Sequence, residues 1–329
     1  MVSSLPRVRR RWTHIACLTV LSLALPMTGA VAQPFKAPAY GGRAPGSAAP
    51  DKSPVSDVLA VQVALARGGF SVGAIDGRDG PKTRKAVKTA GDAIATDAEV
   101  LREYVVTAED AAGVFKADLP NDMMALGELE SVPYASPLEM IAERFRSAVS
   151  LIKRLNPDAT FAAGETLRVP NVEPMDVPAL SHMREVPDKP AERTAAVRVS
   201  KGGRDLKVVD AKGAVLFYAP VSSGTDKDPL PLGEWKVLNV FLRPVFNYNP
   251  DLFWDADPAH AKTTIPGGPN NPVGLVWIDL DKEHYGLHGT PTPETIGITQ
   301  SHGCVRLTNW DALHLASLVK PGTPIIFEP

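Results

Sequence analysis

Residues 286–308 read GLHGTPTPETIGITQSHGCVRLT, and the run holds two short pieces, GLHGT (286–290) and GCVRLT (303–308), around a Thr- and Pro-containing connection. Both belong to a series of short β-branched or aromatic runs. AAVRVS (195–200), RDLKVVDA (204–211) and AVLFYAPVSSG (214–224) precede them, with KGG and AKG between at hairpin distances. GEWKVLNVFL (233–242) and GLVWIDL (274–280) lie between, and TPIIFEP (323–329) closes the series. Only NWDALHLASLVK (309–320) has helical spacing, with Leu313, Ala316 and Leu318 turned inward. Residues 195–329 are therefore expected to form a mostly-β, sandwich- or barrel-like domain.

The amino-terminal end predicts export. Arg7, Arg9, Arg10 and Arg11 precede an apolar run, IACLTVLSLALPM (15–27), and Ala30-Val31-Ala32 fits a small-x-small cleavage site. Basic, then apolar, then small is the order of a secretory signal peptide (1–32). The run is too short for a stable transmembrane helix, so no membrane span is expected after cleavage. Cleavage removes Cys17 and leaves Cys304 as the mature chain's one cysteine. An unpaired cysteine in an exported protein points to a reactive thiol or an intermolecular bridge. The formal net charge of −2 includes the leader arginines, so the mature chain is mildly acidic and carries no signature of nucleic-acid or membrane-surface binding.

The residues around Cys304 suit nucleophilic chemistry. A thiol becomes a nucleophile when an imidazole can take its proton, and two are candidates: His302, two positions before it, and His288 upstream. In an extended segment residues two apart face the same way, so the residues alone leave open which histidine is the base. Gly303 permits a sharp turn, and the amides of Gly303 and Cys304 can be aimed at a developing oxyanion. Histidines 260, 284, 288, 302 and 314 all fall in this half, yet no HExxH or structural-zinc spacing is present, and no GxSxG elbow. No metal or other cofactor is expected. The segment 243–272 is too long and too rich in Pro, Asn and Gly for a plain connection, which suggests a lid or substrate wall carrying Tyr248, Phe253 and Trp254.

Upstream, residues 33–54 have the composition of a flexible tether. DVLAVQVALARGGF (57–70) has an apolar stripe at helical spacing, and Pro81 starts a second helix. Residues 94–130 form an unassigned connector. SPLEMIAERF (136–145), VSLIKRLNP (149–157) and GETLRVPNV (164–172) read as helix, helix and strand, with Ser136 as a cap. Residues 173–194 read as a linker.

Three resemblances follow. VQVALARGGFSVGAIDGRDGPKTRKAV (61–87) resembles the peptidoglycan-binding family of small helical modules, placed at 55–93. Residues 131–172 resemble a LysM carbohydrate-binding repeat, with SVPYAS (131–136) as the expected first strand. From 195 to 329 the chain resembles the L,D-transpeptidase catalytic domain of YkuD type, through PLPLGEWKV (229–237), YNPDLFWD (248–255), GGPNNPVGLVWIDL (267–280), YGLHGT (285–290) and SHGCVRL (301–307). The resemblance implies a β-sandwich-like domain whose motif cysteine attacks peptidoglycan stem peptides in the periplasm or cell wall. It assigns Cys304 as nucleophile and His288 as general base, held through the Gly289 carbonyl, with His302 shaping the pocket. Ser301 would support the turn, and Arg306 would fork onto an anionic substrate. Expected partners are stem peptides and glycan strands, carbapenem-type inhibitors and, as one alternative acceptor, an outer-membrane protein. Water as acceptor would make the site a carboxypeptidase or crosslink hydrolase. A non-catalytic wall-binding protein is the rival reading.

Overall fold

Helix α1 (Asp57–Arg67) begins where Ser56 Oγ accepts the Leu59 amide at 3.2 Å, and it buries Leu59, Val63 and Leu65. Helix α2 (Pro81–Ala90) starts on Pro81, whose missing N–H costs nothing at that position. The computed structural model describes residues 56–94, 99–175 and 193–329. The expected signal peptide, the tether at 33–54 and all but the ends of the linker at 173–194 lie outside the described residues. No helix among the described residues is long and apolar enough to cross a membrane.

Strand β1 (Leu101–Val105), two short helices α3 (Ala108–Ala111) and α4 (Met123–Gly127), helices α5 (Pro137–Arg144) and α6 (Val149–Leu155), and strand β2 (Thr166–Pro170) follow. SVPYAS, the strand expected from the LysM resemblance, forms no strand, and four helices lie between β1 and β2. β1 pairs antiparallel with β2, from Leu101 opposite Pro170 to Val105 opposite Thr166. Residues 131–136 contribute only an isolated bridge, Phe115 to Tyr134. Pro133 has no N–H for a ladder, and the true partner lies in the stretch left unassigned by sequence.

The carboxyl half contains β3 (Ala196–Ser200), β4 (Asp205–Val209), β5 (Val215–Pro220), β6 (Gly233–Leu242), β7 (Phe246–Tyr248), β8 (Thr263–Ile265), β9 (Val276–Leu280), β10 (Gly286–His288), β11 (Val305–Arg306), α7 (Asn309–Leu318) and β12 (Pro324–Glu328). Eight of these strands form one mixed sheet in the order β11-β10-β9-β6-β12-β3-β4-β5. β6 belongs to both halves: its first residues pair with β12, its last with β9, and the register shifts between Val237 and Asn239. A bulge there bends the sheet. The two ends then meet, because Ser222, just past β5, exchanges both backbone hydrogen bonds with Arg306 of β11 (3.1 and 2.8 Å). The result is a curled, nearly closed sheet around Val197, Leu206, Val208, Ile278, Leu287 and Val305, with α7 supplying Trp310 and Leu315.

The amino-terminal modules share this structure and do not stand apart from it. Tyr218 of β5 is buried in the same apolar cluster as Leu65, Phe70 and Ile141. Its amide donates to Gly69 O (3.0 Å) and its carbonyl accepts from Ser71 N–H (2.8 Å), so residues 69–71 cover the β5 edge. Ser71 Oγ donates to Asp311 Oδ2 at 2.8 Å, and Lys85 pairs with the buried Asp205 at 2.5 Å.

Candidate active site

Cys304 lies at the mouth of β11, and parallel pairing with β10 sets Leu287 beside Val305 and His288 beside Arg306. Leu287 and Val305 face the core with no exposed surface. By alternation His288, Cys304 and Arg306 share the opposite face. β11 is held on its other side by residues 222–224, where the Ser301 amide donates to Ser223 O at 3.0 Å. Ser301 Oγ in turn donates to the Cys304 carbonyl at 2.5 Å, closing the turn.

Gly303 has φ +110°, a left-handed conformation, and a Cβ there would lie 2.8 Å from Tyr285 Cε1. Gly303→Ala is therefore expected to lower stability by about 1–3 kcal/mol through backbone strain alone. It should also slow any reaction at Cys304, since the Tyr285 ring or the turn must move. Thermal unfolding and thiol alkylation rates of the variant check both.

His288 is 6% exposed, stacked beneath the Trp277 indole with centroids 5.6 Å apart. Its Nδ1 stands 2.7 Å from the Gly289 carbonyl oxygen, which can only accept. Nδ1 therefore carries the proton, and in the neutral ring Nε2 is left as the acceptor. Burial lowers the imidazole pKa to about 4; the Gly289 bond opposes this, and the nearby Arg306 charge reinforces it. Cys304 is half-buried, so the thiol stays approachable from solvent. Its surroundings nevertheless raise its pKa to about 11 by desolvation, offset in part by a hydrogen bond from the Gly286 backbone. The Sγ–H points to the His284 carbonyl at 3.7 Å. Both shifts, each caused first by desolvation, disfavour the charged forms of the thiol and the imidazole.

The second histidine goes elsewhere. His302 Nε2 meets Asp255 Oδ1 at 2.7 Å, and its ring packs against Phe253 (5.1 Å) and Trp254 (5.8 Å). It thus ties the motif turn to the segment 243–272. That segment is a hairpin, β7 with β8, whose Tyr248 and Ile265 pack on Leu126 and Val132. Tyr248 OH and Asp122 Oδ2 flank the two nitrogens of His260 at 3.0 and 2.7 Å. Phe253 anchors the hairpin. Trp254 is 54% exposed, with Lys227 Nζ 3.6 Å from its ring centre.

Arg306 is committed differently from a free fork. Its Nη2 donates to Thr299 Oγ1 (2.6 Å) and Gln300 O (3.0 Å), while Nε is buried without a partner. Two adjacent free donors for a carboxylate are therefore missing, and the guanidinium instead ties down the loop before the motif. The Gly289 carbonyl accepts the hydrogen bond from His288 Nδ1–H, and Gly289 also abuts Asn309, whose Oδ1 would lie 2.1 Å from a Cβ placed on it.

Several residues here were not singled out by sequence: Gly286, Trp277, Tyr285, His284 and Asn309. Gly286 is forced by the indole, since its Cβ would fall 2.6 Å from Trp277 Cζ2. The YGLHGT run was a usable signal for Tyr285 and Gly286. Nothing local marks Trp277 or Asn309.

Residues 194–327 match the L,D-transpeptidase catalytic domain of YkuD type. A protein of Bacillus licheniformis named as the L,D-transpeptidase YkuD is 29% identical over 195 residues, covering 58% of this chain and 93% of that one. One of Bacillus subtilis named as the L,D-transpeptidase YqjB is 37% identical over 136 residues, covering 40% and 69%. Among solved structures, an L,D-transpeptidase from Mycobacterium smegmatis is similar at TM-score 0.34 and 23% identity, covering 42% of this chain and 59% of that chain. L,D-transpeptidase 3 from Mycobacterium tuberculosis, in complex with a faropenem-derived adduct, is similar at TM-score 0.33 and 18% identity, covering 42% and 61%.

Proposed function

The chain belongs to the L,D-transpeptidase family through its YkuD-type catalytic domain, and from that premise we propose that Cys304 is acylated by a peptidoglycan stem tetrapeptide. The observation that carries this reading is one shared sheet face: an approachable thiol beside a buried imidazole whose Nδ1–H is tied to Gly289 O, leaving Nε2 to accept. The sulfur attacks the carbonyl of the third stem residue while its proton passes to His288 Nε2. The amides of Gly303 and Cys304 are the candidate donors to the oxyanion. The imidazolium then protonates the departing D-Ala amine, leaving a thioester. An acceptor amine attacks the thioester, gives its proton to His288 and restores the thiol. Burial holds the His288 imidazole toward its neutral form, the form that can accept a proton.

A neighbouring stem amine as acceptor gives a 3→3 crosslink; water gives carboxypeptidase or hydrolase activity; a lysine of an outer-membrane protein gives attachment of that protein to the wall. Family members act on the cell wall, and we place this protein there by export through residues 1–32. The test is incubation of the purified protein with disaccharide-tetrapeptide muropeptides and product mass analysis. Release of D-Ala with a crosslinked dimer supports the reading, and release with water addition alone selects the hydrolase. A carbapenem or penem is expected to add its mass to Cys304. Substrate left unchanged together with no β-lactam adduct would replace this reading with the wall-binding one.

A further inference from the structure

Glu143 sits on α5, in the amino-terminal half, yet it is 6% exposed and reaches into the catalytic domain. Its Oε1 accepts from Asn309 Nδ2 (2.9 Å) and from Tyr134 OH (3.0 Å). Asn309, at the start of α7, has no exposed surface. Its Nδ2 also donates to Pro269 O (3.1 Å), and its Oδ1 accepts the Leu275 amide (2.9 Å). The same Oδ1 fills the space beside Gly289 and Gly274, at 2.1 Å from a Cβ built on either. One carboxamide thus clamps the end of the 243–272 segment, the entry to β9 and the residue whose carbonyl orients His288. Two of its three hydrogen bonds lie inside the catalytic domain, and the third goes to Glu143.

We propose that Glu143 is a positioning residue for the acid–base chemistry of His288, acting through Asn309 and the Gly289 backbone. Without the Glu143 acceptor, one Nδ2 hydrogen is buried unpaired, and the carboxamide must turn to find a partner. Turning it moves Oδ1 off the Leu275 amide and out of its contact with Gly289. The Gly289 carbonyl then no longer fixes the ring of His288. Small displacements of this kind, remote from the reacting atoms, change rates by an order of magnitude or more. Burial keeps the Glu143 carboxyl protonated at neutral pH, with a pKa of about 8, so the link carries no buried negative charge toward the imidazole. The amino-terminal half thereby completes the catalytic site; wall retention is not its whole contribution.

The inference rests on the assignment of His288 as the base, and the experiment separates the two. In the full chain, Cys304 alkylation by iodoacetamide and acylation by a carbapenem are followed against pH for wild type, Glu143→Leu, Glu143→Gln and Tyr134→Phe. Glu143→Leu is expected to acylate about tenfold more slowly with a displaced pH profile. Glu143→Gln, which keeps an acceptor oxygen, should restore both. Tyr134→Phe removes the other donor on the same oxygen and should lower the unfolding temperature while leaving the profile in place. Should Glu143→Leu fail to fold, Asn309→Asp, which keeps Oδ1 and loses both Nδ2 donors, takes its place with the same expectation. A folded Glu143→Leu or Asn309→Asp whose profile overlays wild type overturns the proposal. If wild type forms no acyl adduct, the function fails, while the alkylation profile still reads the Glu143 link.

Discussion

Cys304→Ala is expected to abolish the covalent β-lactam adduct and all muropeptide turnover, and His288→Ala to slow acylation by about 10³-fold. The two losses differ in kind. Without the sulfur no thioester can form. Without the imidazole the thiol remains, but its pKa near 11 leaves roughly one part in 10⁴ ionised at pH 7, and nothing relays the proton to the leaving amine. The same reasoning makes the rate with His288→Ala rise with pH up to the thiol pKa, whereas wild type should already be active once pH exceeds about 4. His302→Ala is expected to cost about tenfold or less, because its Nε2 is engaged with Asp255 and its ring with Phe253 and Trp254. Its loss should appear in substrate affinity, as the 243–272 segment loosens from the motif turn. Stopped-flow acylation across pH measures all three. A His302 variant more damaged than the His288 variant would reverse the assignment of the base.

Stability is expected to fall by about 2 kcal/mol between pH 6.5 and 8, and Glu143→Gln to flatten that slope. The Glu143 carboxyl is pushed up to about 8 by desolvation, with bonds from Asn309 and Tyr134 opposing and the Glu139 charge assisting. In an unfolded chain it titrates near 4.5. Between those values the folded state holds a proton that the unfolded state has released, so unfolding becomes easier as pH rises. Asp311, raised to about 6, acts in the same direction over a lower and narrower window. His288 and His314, both lowered by burial to about 4, oppose it below pH 6.5, where unfolding takes up protons. Among the described residues, Glu143 is left to dominate from pH 6.5 to 8. Denaturant melts of wild type and Glu143→Gln at these two pH values give the answer. Parallel losses in both proteins would show that the carboxyl is not the group responsible.

Much of the fold was legible because the signals are local. Helices α1, α2 and α5 announce themselves through the apolar stripe of 57–70, Pro81, and the Ser136 cap, signals that act within a turn or two of the chain. The β-runs of the carboxyl half alternate or break at glycines, and each contains an observed strand. The strand LREYV (101–105) was missed because it has little apolar alternation of its own. Its identity comes from β2, far along the chain. Residues 119–132 gave no local sign that they would floor the β7–β8 hairpin, since Leu126 and Val132 acquire meaning only when Tyr248 and Ile265 arrive on top of them.

By itself the sequence determined the chemical cast, a thiol with glycine before it and imidazoles within reach, because residue type and short spacing are properties of the chain. Only the tertiary structure decided the surroundings of each imidazole, for the parallel register of β10 and β11 sets His288 beside Arg306 and Asp255 captures His302. It also placed Cys304 and His288 where desolvation disfavours their charged forms, and it brought Glu143 of α5 against Asn309 of α7. Desolvation and buried hydrogen bonds arise from atoms remote in sequence, and they exist only after the sheet has curled and the modules have docked.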